Sequence, residues 1–362
     1  MALGITITPE IRQLRRLLYC GEWIESHVLH IYLLHAPDFL GYESGISMAA
    51  DYKEAVEKGL KLKKIGNQLL EVLGGRAIHP INVTVGGFHR APYRRDLQAL
   101  LPDLEWGLQA SIDTLRLVSS FDFPEFEVPY ECVSVKHLDE YPMNEGRIVS
   151  SSGLDIAMEE FEQHFQERHM PQSTALHSVM LPEERPYLVG PLPRLNLCFD
   201  QLSPTAKREA EACGIEWPST NNFQSIVARA IEVIDSFEEA IDIVKHYNTE
   251  PSVCRIPYKP AAGEGCHATE APRGLLYHRY RIGDDGLIAE AKIVPPTSQN
   301  QGRIEEDLRN YLPQVIQFDD QEATRRCEHL IRNYDPCISC STHFLELTLD
   351  QGRGSRHDSK RD

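Results

Sequence analysis

The residues best suited to chemistry stand together near the end of the 362-residue chain, as Asp335-Pro336-Cys337-Ile338-Ser339-Cys340-Ser341-Thr342-His343. Proline suits the first position of a helix, where its missing N–H has no partner to lose, and an aspartate ahead of it accepts from the free amides of the first turn. The pattern therefore predicts a helix that begins at the cysteines, with Asp335 as its cap. Residues three apart share a helix face, so Cys337 and Cys340 can address one ion, with His343 a further step along. The partial positive charge of a helix start favours thiolate over thiol. Soft thiolates suit zinc, nickel, copper or iron–sulfur centres. Taken alone, one Cys-x-x-Cys is equally compatible with half a zinc site, a redox dithiol or two buried cysteines without a ligand.

Long helices are expected to position this segment. Thr8-Pro9-Glu10 has cap, proline and acid in order, and Ile11, Leu14, Leu18, Ile24, Val28, Ile31 and Leu34 continue an apolar face that should stop before Pro37. A second helix is predicted from about Ala49 to Leu73, ended by Gly74-Gly75. Leu97 to Val118 gives a third and Phe223 to His246 a fourth. From Phe126 to Lys136 β-branched and aromatic residues suggest a strand, with Pro129 suited to an edge. His79–Pro92, Gly190–Asn196, Gly263–His278 and Val294–Glu305 lack periodicity and read as loops, where scaffolds often carry chemistry. No glycine-rich phosphate loop is found, because Gly263-Glu264-Gly265 follows no convincing strand.

Composition narrows the class. Acidic residues number 54 against 37 basic ones, a formal charge of −17, which argues against a nucleic-acid surface. No stretch is apolar for long enough to span a bilayer, and Met1 to Ile5 lacks the pattern of a secretory signal, so the cytoplasm is the expected location. Nine scattered cysteines do not read as a disulfide framework.

Asp335-Pro-Cys-x-x-Cys-x-x-His343 resembles the C-terminal metal signature of the large, or alpha, subunit of nickel–iron hydrogenases. Glu25-Ser-His-Val-Leu-His-Ile-Tyr-Leu-Leu34, His79-Pro-Ile-Asn-Val-Thr-Val-Gly-Gly-Phe88, Glu270-Ala-Pro-Arg-Gly274 and Val294-Pro-Pro-Thr297 agree with it, so the resemblance covers roughly Ile11 to His343. It looks closest to the cytoplasmic, multisubunit branch linked to NAD(P) or a similar carrier. The resemblance implies a mainly α fold, a long-helix bundle with small β elements. It also implies a nickel–iron centre bearing carbon monoxide and cyanide, with Cys337 as a terminal nickel ligand and Cys340 as a bridge. His343 would serve a magnesium or iron ion, with the peptide carbonyl near Ile293 a candidate for the same site. Arg273 would lie over the metals, and Asp38 and Asp335 near the open metal position. The function implied is reversible oxidation of H2, with electrons passed to an iron–sulfur small subunit and on through flavin/NAD(P) diaphorase subunits.

The chain departs from the family pattern in two places. The family's first Cys-x-x-Cys and its glutamate are absent, so residues 1–343 read as an N-terminally incomplete core, with Cys266 the only spare cysteine near the Arg273 loop. Residues 344–362 resemble a tail that a maturation endopeptidase removes. The alternative reading is a non-catalytic structural or electron-transfer relative that has lost the metal centre. A zinc module built on the single pair explains none of the other segments.

Overall fold

Helix α1 (Pro9–Leu29) starts as its sequence requires. The Thr8 hydroxyl accepts from the Ile11 amide at 3.4 Å, Pro9 stands in the first turn and Glu10 adds the negative charge that a helix start favours. The computed structural model describes residues 2–248 and 254–337. After α1 come α2 (Ala36–Leu40), α3 (Gly45–Met48), α4 (Lys53–Gly74), α5 (Arg94–Gln98), α6 (Leu101–Ser119), α7 (Phe161–His164), α8 (Pro191–Cys198), α9 (Pro204–Ala212), α10 (Ser225–His246), α11 (Pro296–Val315) and α12 (Asp320–Arg332). The strands are short and antiparallel. β1 (Val83–Thr84) pairs with β2 (Gly87–Phe88), and β3 (Val133–Lys136), β4 (Arg147–Ser150) and β5 (Asp155–Ile156) form a second sheet. β6 (Phe165–His169) pairs with β7 (Leu176–Met180). β8 (Gly263–Ala271), β9 (Gly274–Ile282) and β10 (Ile288–Val294) complete the set, with β9 in the middle. The protein is thus mainly α, with small sheets attached.

The main core lies where α1, α4, α6 and α10 meet, around Trp23, Ile24, Leu69, Leu104, Ile234 and Phe237. Close approach of two helices explains two glycines. A Cβ on Gly66 would lie 2.8 Å from both the Gly21 carbonyl oxygen and the Glu25 amide nitrogen, so α1 and α4 touch backbone to backbone there. Helix α10 is buried on nearly every side and carries Arg229, Glu232 and Asp235 into the interior. A helix of that kind belongs at the centre of a large fold.

Several expectations need correction. The first helix does not stop before Pro37. It widens into a π turn, His30–His35, in which the Ala36 amide reaches back to Ile31, and Pro37 then enters the first turn of α2, where no N–H is required. Along Phe126–Lys136 only Val133–Lys136 is a strand. Phe126, Val128, Tyr130 and Cys132 are buried alternately as a strand would bury them, but their neighbours are irregular chain: Val128 donates to Thr220 and Leu188 to Glu131. Three of the four expected loops are regular. Gly190–Asn196 lies mostly in α8, Gly263–His278 forms the β8–β9 hairpin, and Val294–Glu305 opens α11. The glycine and proline content that suggested loops instead marks their ends. Residues 344–362 lie outside the described residues.

Gly66→Ala should push α1 from α4 and lower the unfolding free energy by about 1–3 kcal/mol, read as an earlier urea midpoint. An unchanged midpoint would mean that the two backbones can separate without loss.

Candidate metal centre

Three segments converge on the entrance to the cysteine motif. The first is the two-residue turn Pro272-Arg273 between β8 and β9, closed by pairing of Ala271 with Gly274. Gly274 has φ +134°, and a Cβ on Gly190 would lie 3.0 Å from the Arg273 carbonyl oxygen, so both glycines give the turn room. Gln299 and Asn300 of α11 hold the flanks, with Gln299 donating to the Leu275 carbonyl at 2.5 Å and Asn300 to the Val189 carbonyl at 3.0 Å.

The second segment is the end of α12 and the residues that follow. A helix leaves its last carbonyls without partners, and here those of Arg332 and Asn333 are met by buried side chains. His30 Nε2 lies 2.8 Å from the Arg332 carbonyl oxygen. The Asn333 carbonyl accepts from Ser225 Oγ at 3.0 Å and from Arg229 Nη2 at 2.9 Å. Burial pulls the Arg229 guanidinium down to about 10, against the pull of Asp335 and Glu232. Tyr334 donates to Asp307, which also accepts from Tyr130 at 2.8 Å.

Asp335 then departs from the expected helix cap. Its φ is +46°, the left-handed region, whereas a capping residue has extended backbone. A non-glycine residue there costs about 1–3 kcal/mol and persists when its surroundings impose it. Arg273 does so: Nε donates to the Asp335 carbonyl at 2.6 Å and Nη2 to its carboxylate at 3.1 Å. The side chain of Asp335 is buried and that of Arg273 half-buried. Two residues later Cys337 is exposed, with its Sγ 3.5 Å from the Thr297 hydroxyl at the start of α11.

The third segment is the π turn with α2. Asp38 receives Arg332 through two bonds, Nε at 2.5 Å and Nη2 at 2.9 Å, while Glu328 stands 3.7 Å from the same guanidinium. Donor atoms of His35, Asp38 and His329 lie within 4.8 Å of one another, all buried. Neither ring nitrogen of His35 has a hydrogen-bond partner among the described residues. A guanidinium that clasps Asp38 competes with a cation for the same lone pairs. We therefore read this cluster as a ring cage, in which His329 stands edge-on to Phe39 and Phe223, with centroids 4.4 and 4.9 Å away.

Of the residues expected from the sequence, Arg273 and Asp335 are in direct contact, and Cys337 follows two residues later against Thr297. Asp38 joins the same corner through Arg332, three residues ahead of Asp335. Cys340 and His343 lie outside the described residues. The carbonyl candidate at Ile293 falls on the edge strand β10, opposite His278 and four residues before Thr297. Cys266 is not beside the Arg273 turn: it stands on β8 opposite Arg279, five residues and so roughly 17 Å of strand from Ala271. Its thiol faces the Met158 carbonyl. Sequence reading passed over His30, Arg229 and Arg332. His30 was within reach, inside the Glu25–Leu34 segment, but the partners of the two arginines lie far apart in the chain and no local pattern marks them.

The donor chemistry fits nickel as far as the described residues extend. Nickel takes thiolate, and Cys337 offers an accessible thiol beside the Thr297 hydroxyl, two residues after the aspartate that Arg273 holds. The remaining described cysteines are all on other elements or loops.

Burial also fixes how this region responds to acid. It holds the His27 imidazole down at about 4, despite the pull of Glu232, and that of His329 down at about 3. Both lie below the ordinary 6.5, so between 6.5 and those values the unfolded chain binds more protons and stability falls as the pH falls. His329→Gln should flatten the slope of unfolding free energy against pH between 6.5 and 4 by up to about 1.4 kcal/mol per pH unit. Equal slopes for variant and parent would show the ring charged in the fold.

A model of the nickel-dependent hydrogenase family matches residues 194–343. Sulfhydrogenase 1 subunit alpha of Pyrococcus furiosus is 34% identical over 354 residues, covering 96% of this chain and 81% of the relative. The beta subunit of NAD-reducing hydrogenase HoxS from Cupriavidus necator is 25% identical over 388 residues, covering 94% and 78%. A solved NAD+-reducing NiFe-hydrogenase in its H2-reduced state matches with TM-score 0.86 at 23% identity, over 94% of this chain and 82% of the other. The Ni-Fe-Se hydrogenase of Desulfomicrobium baculatum gives 0.72 at 21% identity, over 94% and 84%, and at such identities the likeness is one of fold. Identity to the sulfhydrogenase along almost the whole chain settles the assignment: the chain belongs to the nickel-dependent hydrogenase family.

Proposed function

We propose that this chain is the large subunit of a nickel–iron hydrogenase that oxidises H2 reversibly. The observation that carries the reading is the Arg273 guanidinium, bonded to both carbonyl and carboxylate of Asp335 two residues before the Cys337 thiol. A fixed cation with several donors and an exposed cysteine two residues from its partner are groups that can hold a metal and handle the proton of a heterolytic cleavage.

In this reading Cys337 and Cys340 would hold the nickel–iron centre through their sulfurs, and His343 would serve a magnesium or iron ion. When bound, a nickel–iron centre with carbon monoxide and cyanide would supply the metal chemistry that polarises dihydrogen and takes up its two electrons. Every other task falls to the chain. Cys337 Sγ is placed to receive the two released protons in turn, and Thr297 Oγ1 at 3.5 Å is the first acceptor along their way out. Asp335 keeps Arg273 aimed at the corner. Asp38, clasped by Arg332, closes its far side without adding free negative charge. Electrons leave to an iron–sulfur small subunit and then through flavin subunits to NAD(P) or a similar carrier. The NAD-reducing activity in the name of the HoxS relative supports the final step of that route. Among the described residues no helix is long and apolar enough to cross a membrane, in keeping with a cytoplasmic complex. Cleavage after His343 by a maturation endopeptidase belongs to the same reading.

The test is metal retention in the purified complex. Parent protein should hold both nickel and iron, and Cys337→Ser should lose nickel. Arg273→Lys should keep both metals while turnover drops by roughly 10²–10³-fold, the usual cost of removing one such donor. A parent complex without nickel or iron would instead support the non-catalytic relative.

A further inference from the structure

Arg194 on α8 is wholly buried, and its guanidinium spends all five N–H donors on protein acceptors. Nε and Nη2 meet the two carboxylate oxygens of Glu232 at 2.7 and 2.8 Å. Nη1 donates to Glu270 Oε2 and to the Ala271 carbonyl, each at 2.9 Å, and Nη2 also donates to the Pro272 carbonyl at 2.9 Å. The last two acceptors are the residues immediately before Arg273. Among the described residues, no other side chain bonds to both of these carbonyls.

The grip is rigid at both ends. The other oxygen of Glu270 accepts from the Val135 amide at 2.8 Å, which ties β8 to β3. Glu232 is held by Tyr141, whose hydroxyl donates at 2.8 Å, and lies 2.9 Å from His27 Nε2. The Trp23 ring lies 4.4 Å from the Arg194 guanidinium carbon, covering one face of its plane. The planar fork can therefore neither rotate nor slide, and the turn it holds inherits that restriction.

We propose that Arg194 is the positioning residue that fixes the Arg273 guanidinium over the cysteine corner, acting through the backbone of the β8–β9 turn. The inference rests on the reading of Arg273 given above. Lysine cannot replace it: one ammonium has three donors and no fork, so it cannot serve two carboxylates and two carbonyls together.

The experiment is a double-mutant cycle in the intact complex, with hydrogen exchange of the turn as a second readout. Arg194→Lys should lower turnover by roughly 10- to 100-fold, and should speed amide exchange in 271–275 while α6 and α10 stay protected. In an Arg273→Lys background the same change should cost almost nothing further, because the group it positions is already gone. A merely structural role would give multiplied losses and exchange that rises across the core. Should Arg194→Lys not assemble, Glu270→Gln removes one charged anchor while leaving both carbonyl contacts, and the same non-additivity is expected. Unchanged protection of 271–275 in the variant overturns the inference. An Arg273→Lys complex with full turnover overturns the reading of Arg273 instead, and the exchange result still decides whether Arg194 holds the turn.

Discussion

A charge taken out of water has to be matched inside the fold, and the charges on α10 impose that constraint on everything around the site. Glu232 and Arg229 lie less than one turn apart on a helix with almost no exposed face. Glu232 is answered by Arg194, which reaches the Ala271 and Pro272 carbonyls and so carries the Arg273 turn. Arg229 is answered by the Asn333 carbonyl, which stands at the exit from α12 on the way to Cys337. The two segments assigned to the chemistry in the proposed function are thus anchored to the same helix through opposite charges. Burial pushes the Glu232 carboxyl up, but Arg194 and His27 hold it down at about 2, so the anchor stays charged at neutral pH.

Local irregularities occur where these anchors pull the chain. The π turn His30–His35 adds a residue to the helical path and brings His30 to the Arg332 carbonyl and Asp38 to the Arg332 guanidinium. Asp335 takes a positive φ because Arg273 holds both its carbonyl and its carboxylate. Single-turn π insertions and non-glycine residues in the left-handed region both recur at functional sites, where surrounding contacts offset their cost. Here those contacts are specific hydrogen bonds to buried groups.

Much of the helical frame was legible because it depends on neighbours in sequence. Thr8-Pro9-Glu10 announces the start of α1, Gly75 with φ +82° ends α4, and the apolar spacing from Phe223 to His246 marks α10. The β8–β9 hairpin and α11 were missed, since glycine and proline at their boundaries look like loop residues without knowledge of what pairs across them. For the site, Asp335 and Cys337 could be named from their motif, and Arg273 from the family resemblance. Arg194, Arg229 and Arg332 could not, because their meaning lies largely in partners far along the chain, and the ion pair that Asp335 makes with Arg273 comes from another segment.

The central claim is that the corner formed by Arg273, Asp335 and Cys337 splits dihydrogen. Isotope exchange tests it most directly, because it needs neither an electron acceptor nor knowledge of the physiological direction. Incubated under D2 in ordinary water, the intact complex should release HD and H2, and the Cys337→Ser complex should release neither. Exchange that continues undiminished in Cys337→Ser would contradict the account and place the chemistry elsewhere.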